Sequence, residues 1–151
     1  MKTIDVTGDR FDYVDGMDGK MSFGSFQQGE EFKLYIHGLS FSKDLVESAE
    51  DTFIDSETEI CFEDTQGILV EYWSSPELID TAHFPFGSGK WDLRLGKLDV
   101  DGSRDYMIGA GMKGLPGFCD ISIFCRGRVR ITYDENSMLS IKDFTDKYIK
   151  R

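Results

Sequence analysis

From Phe118 to Ile131 the side chains alternate with a period of two, and this stretch constrains the fold more than any other. Cys119, Ile121, Ile123, Cys125, Gly127, Val129 and Ile131 fall on one side; Asp120, Ser122, Phe124, Arg126, Arg128 and Arg130 fall on the other. A β-strand with one buried and one wet face requires such a pattern. The run is long for one strand, so Gly127 reads as a bulge or bend within it. Three arginines share its wet face, and carboxylates on neighbouring strands are the ordinary answer to such a row.

The same period recurs elsewhere. Phe32, Leu34 and Ile36 oppose Glu31, Lys33, Tyr35 and His37; Ile4 and Val6 share a side near the N-terminus; residues 20–26 read as a further strand. Asp15-Gly16 and Asp18-Gly19 are tight-turn dipeptides. Residues 57–63 and 67–73 read as a hairpin around Asp64–Gly67. Residues 91–100 and 104–109 read as a second, turning at Asp101-Gly102.

Two stretches leave this pattern. In residues 140–150, Ile141, Phe144, Tyr148 and Ile149 share a helical face, Ser140 can cap the start, and Lys147, Lys150 and Arg151 suit the dipole at the end. Residues 42–51 can form a short helix capped by Ser42, although the acidic end opposes the helix dipole. The expectation is a mainly β fold: an antiparallel β-sandwich or partly open barrel of about eight to nine strands with a C-terminal helix.

The 151 residues fit a single domain, 1–151, large enough to bury a core without metal or disulfide. Cys61, Cys119 and Cys125 form an odd set without metal spacing and read as buried thiols. The N-terminus lacks a signal-peptide apolar region, and no apolar run is long enough to span a bilayer. A cytoplasmic location with no membrane contact is therefore expected.

Charge is distributed unevenly. Net charge is −11, and residues 44–89 hold twelve acids and no Lys or Arg. Nucleic acid is excluded as an expected partner, because binding phosphate needs basic surface. The acids concentrate from Asp44 to Asp64. Repulsion among them costs stability unless bases approach, either from the basic C-terminal third or from a partner. Residues 72–91 add Tyr72, Trp73, His83, Phe84, Phe86 and Trp91 among turn residues. Such aromatics can plug a core or anchor an interface.

Familiar chemical motifs fail on context. Gly109–Gly114 matches GxGxxG, but a strand follows where a phosphate-binding helix must begin. Ser40–Lys43 matches SxxK without its companion elements. Asp99–Asp105 and the series Asp9, Asp12, Asp15 and Asp18 lack calcium-loop spacing and are explained by turn chemistry. No catalytic residue, cofactor or metal is assigned.

The leading expectation is a non-catalytic, acidic protein-binding domain that covers a basic protein partner, in its most concrete form an immunity- or antitoxin-like inhibitor. Its candidate binding residues are Glu47, Glu50, Asp51, Asp55, Glu57, Glu59, Glu63, Asp64, Tyr72, Trp73, Phe84 and Phe86. One alternative is a small-molecule-binding β-barrel or an enzyme built on His83 and the aromatic loop. The other is a homo-oligomeric structural subunit; composition leaves the oligomeric state open.

Overall fold

The period-two pattern becomes an open, mixed sheet of eleven strands carrying a C-terminal helix, in a computed structural model that describes residues 1–16, 19–46, 48, 50–74, 89–114 and 117–148. The larger half of the sheet contains β1 (Lys2–Asp5), β3 (Lys20–Phe23), β4 (Phe32–Phe41), β5 (Thr52–Phe62) and β10 (Val129–Tyr133). The short strands β2 (Val14–Asp15) and β11 (Met138–Ser140) lie off its main path. The smaller half contains β6 (Thr65–Ser74), β7 (Gly89–Gly96), β8 (Arg104–Met112) and β9 (Phe118–Cys125). The order is β1-β10-β5-β4-β3-β8-β9-β6-β7. The short β2 and β11 raise the number of strands above the expected eight to nine. One seam departs from the antiparallel expectation: β3 and β8 run parallel, pairing Lys20 with Gly111 and Met21 with Met112.

The halves are joined by two chain segments that bend from one to the other. The stretch read as one long strand is two, β9 in the smaller half and β10 in the larger, broken at Arg126–Arg128. Its apolar phase runs through the bend, and Cys119, Ile121, Ile123, Cys125, Val129 and Ile131 are all buried. The second segment is β5–β6. The expected 57–73 hairpin does not form: β5 pairs with β4, β10 and β11, whereas β6 pairs with β7 and β9. Turn residues at Glu63–Asp64 redirect the strand to the other half instead of folding it back. The turn near Asp101-Gly102 is real, with Ser103 N–H donating to the Val100 carbonyl at 3.0 Å. Its flanking strands nevertheless pair elsewhere, β7 with β6 and β8 with β9 and β3.

The two bends lock together. Gly127 N–H donates to the Glu63 carbonyl at 3.1 Å, Arg126 N–H to that of Asp64 at 3.1 Å, and Glu63 N–H to that of Arg128 at 2.9 Å. A Cβ on Gly127 would stand 2.7 Å from the Glu63 Cβ and 2.8 Å from its carbonyl oxygen, so the approach requires glycine.

Because the sheet curls, the inner faces of both halves share one core. Phe62 of β5 and Tyr106 of β8 meet at 6.0 Å between ring centroids. Phe11, from the 3-10 turn Gly8–Tyr13, packs edge-on against both. In β4 the buried series Phe32, Leu34, Ile36 resumes at Leu39 and Phe41. A bulge at Gly38, φ 88°, resets the alternation.

The C-terminal helix α2 (Ile141–Tyr148) forms as the sequence implies, with Ser140 Oγ accepting from Asp143 N–H at 3.1 Å. Phe144 and Tyr148 pack on Phe53 of β5. Ile141 remains half exposed, and Ile149 lies outside the described residues. The other helix, α1, is a single turn, Lys43–Val46, shorter than the 42–51 expected. Asp51 Oδ1 accepts from Lys43 N–H at 2.9 Å, using a residue of the expected helix to tie off its beginning.

If the locked bends hold the halves together, Gly127→Ala should destabilise by about 2–4 kcal/mol, since its Cβ meets backbone. Gly102→Ala, facing open space at φ 82°, should cost about 1 kcal/mol. Urea unfolding of both variants checks the ranking; equal losses would contradict it.

Candidate functional site

The fold disperses the acidic segment and neutralises much of it. Arg130 Nη2 lies 2.7 Å from Glu63, the cross-strand answer expected for that arginine, and Arg128 pairs with Asp5 at 3.8 Å. Lys33 lies 3.7 Å from both Glu59 and Glu31. Asp64 accepts from Gln66 Nε2 at 2.6 Å. Glu50, Asp51 and Glu57 are exposed. Tyr72 is fully buried in the core, which corrects its reading as an interface anchor: inward alternation on β6 gives its ring to packing. Trp73, the next residue, points outward and packs against Phe118 at 6.2 Å. Glu47, His83, Phe84 and Phe86 lie outside the described residues.

Asp55 is the most engaged of these acids. It accepts hydrogen bonds from Lys147 Nζ and Tyr148 Oη of α2, and His37 Nε2 lies 3.5 Å away. Burial alone would raise its carboxyl, but the bonds from Lys147 and Tyr148, with the lysine's charge, outweigh it and hold the carboxyl below its ordinary 3.8. Asp55 thus clamps α2 onto the sheet.

The three thiols are free and buried. Burial above all pushes Cys61 and Cys119 up to about 12 and Cys125 up to about 11, far from a reactive thiolate. Gly109–Gly114 occupies the end of β8 and the turn after it, and among the described residues the next element is β9, not a phosphate-binding helix. Among the described residues no three His, Cys, Asp or Glu side chains stand together as metal ligands, and no helix is long and apolar enough to cross a membrane.

Two surfaces can do chemical work. The first is the outer face of the smaller half. Pairing places Asp92 of β7, Glu71 of β6 and Asp120 of β9 in one cross-strand row, beside Gly109 of β8. The adjacent row holds Arg94, Leu69, Ser122 and Met107, with Arg94 3.5 Å from Asp92, and the row beyond the acids holds Lys90, Trp73 and Phe118. Asp105 lies on the same face. Met107 is 57% exposed and Phe118 45%. Burial first, then the charge of Glu71, raises the Asp120 carboxyl; burial also raises Asp105, against a hydrogen bond to Ser122. Like charges facing across strands are destabilising. This acidic row was hidden in the sequence because its members come from three strands whose register is set over long range.

The second is a pocket of about 440 Å³ on the outer face of the larger half, between α2 and the β3–β4 pair. Phe53, Phe144 and Tyr148 make its apolar wall, and Lys20, Lys113, His37 and Glu57 bring polar groups to it. The expectation of a pocket had centred on His83; the histidine that lines this one is His37, whose outward position was legible in the β4 alternation.

Comparison with known proteins finds no matching family model, no similar curated protein and no similar solved structure. Fold and surfaces define a curled, mainly β domain with an acidic-aromatic face on one half and a cation-bearing pocket on the other.

Two pH responses of opposite sign follow. Asp55 has a folded value below its unfolded one, so its contribution is complete above the ordinary carboxylate range and lost as pH falls through the folded value. Asp55→Ala should lower Tm by about 3–6 °C at pH 7, with the difference shrinking toward pH 3. Asp120 has a raised folded value, so its charge disfavours the fold above that value and the penalty disappears on acidification. Asp120→Asn should raise Tm by about 1–3 °C at pH 7 and by less at pH 4. Thermal unfolding followed by circular dichroism at several pH values checks both signs.

Proposed function

We propose that this is a non-catalytic binding domain that covers a basic protein surface, using the outer face of the smaller half. The observation that carries the reading is the Asp92–Glu71–Asp120 row set directly beside the outward Trp73–Phe118 pair. Arg94 pairs with Asp92 at 3.5 Å within the fold, yet burial first and then the charge of Glu71 still raise the Asp120 carboxyl. Lysines or arginines from a partner would answer that charge. Phe118, Met107 and Trp73 supply the apolar contact that holds a complex once charge has guided the encounter. The overall charge of −11 favours the same class of partner.

This reading keeps the expected basic partner but moves the contact away from the 44–64 segment, whose acids are largely engaged within the fold. Of the expected anchors among the described residues, Trp73 carries over and Tyr72 does not. The most concrete form remains an immunity- or antitoxin-like inhibitor of a basic toxin, in which an acidic face occludes a cationic site.

The test is capture from a lysate of the source organism at low salt, with elution by a salt step. A basic protein should be retained by the wild type, lost with Asp120→Arg and with Phe118→Ala, and kept by Glu50→Lys, which lies off the face. Purified, that protein should bind at least tenfold more weakly after a fourfold rise in salt, as expected when charge steers the association. Retention unchanged by Asp120→Arg and Phe118→Ala would overturn the assignment to this face.

A further inference from the structure

The pocket beneath α2 lies on the other half of the sheet and needs no partner face to be useful. Its chemistry is the reverse of the molecule's overall charge. Lys20 leaves β3 and Lys113 follows β8, flanking the parallel seam between those strands. Lys113 N–H donates to the Met21 carbonyl at 2.9 Å, which fixes its backbone against β3. Among the described residues neither lysine makes an ion pair, although acids outnumber bases in the chain by 28 to 17. Two lysines lining one cavity, neither ion-paired among the described residues and with Glu57 as the carboxylate that shares the lining, leave a place for an anion from outside.

The remaining walls narrow the choice of anion. Phe53, Phe144 and Tyr148 form an aromatic cluster, with Phe53 and Phe144 at 4.4 Å between centroids. Gly38 opens the floor; a Cβ there would stand 3.1 Å from the Phe53 ring. Tyr148 is held in place by its bond to Asp55, so this wall is pre-formed. A volume of about 440 Å³ falls within the range of small-molecule sites. Glu57, exposed at the rim, disfavours a second negative group and can accept a hydrogen bond.

We infer that the pocket binds a small aromatic carboxylate, its ring against Phe53, Phe144 and Tyr148 and its carboxylate between Lys20 and Lys113. An inorganic anion leaves the aromatic wall unused, and a neutral aromatic leaves both lysines unanswered. Polyanions meet Glu57 and the net negative charge of the chain.

The probes are phenylacetate, its neutral amide phenylacetamide, and acetate, titrated into ¹⁵N-labelled full-length protein at low salt. Phenylacetate should shift the amides of Gly19, Gly38 and Phe144 with Kd between about 10 μM and 1 mM, the affinity a ligand of this size can reach. Phenylacetamide and acetate should bind at least tenfold more weakly. Lys20→Glu and Lys113→Glu should each weaken phenylacetate at least fivefold while leaving the rest of the spectrum in place. Equal binding of acid and amide, indifference to both lysine substitutions, or no shift at about 10 mM phenylacetate would overturn the inference. None of these outcomes bears on the partner face, whose variants lie on the other half.

Discussion

The structure depends on the place where two bent strands cross between halves of the sheet and hold each other by backbone hydrogen bonds. Each bend alone would leave amides without partners at a corner. Together they satisfy one another, with Gly127 permitting contact against Glu63. The consequence reaches the core. Because both strands keep their apolar phase through the bend, the inner faces of both halves turn toward the same volume, where Phe11, Phe62 and Tyr106 meet.

The corner also organises charge. It sets β10 beside β5, bringing Arg130 to Glu63, and sets β9 beside β6, bringing Asp120 to Glu71. A single topological feature thus neutralises acids on the larger half and concentrates them on the smaller. Asp55 repeats the neutralising arrangement at the opposite end of β5, using the C-terminal helix in place of a strand.

What the sequence disclosed follows from the range of the forces involved. Alternation is local, so the buried sides of β4, β9 and β10 were legible, as was the cap of α2 by Ser140. Pairing is not local. Asp64–Gly67 and Asp101-Gly102 carry the signature of hairpin turns, but a turn signal says only that the chain changes direction, not what it pairs with afterwards. The bulge at Gly38, which extends β4 to Phe41, is equally silent without a partner strand to define it. For the site the division is the same. His37 could be placed outward from periodicity alone, whereas Tyr72 and Trp73 were grouped together as turn-region aromatics. The Asp92–Glu71–Asp120 row and the sharing of one pocket by Lys20 and Lys113 exist only through strand register. The density of acids from Asp44 to Asp64 drew attention because it is local; the bases that answer Asp55 and Glu63 lie far along the chain.

One further consequence concerns the order in which the fold is completed. β1 has a single neighbour, β10, so Lys2 finds its place opposite Tyr133 only after nearly the whole chain is present. During synthesis β1 must wait for β10, far along the chain, while β5 keeps an open edge until Val129–Tyr133 arrives to cover it. Closing so large a loop carries an entropic cost that only late contacts repay, which places this domain among slow, highly non-local folders. The N-terminal strand is then less a nucleus for the domain than the latch that shuts after everything else has assembled.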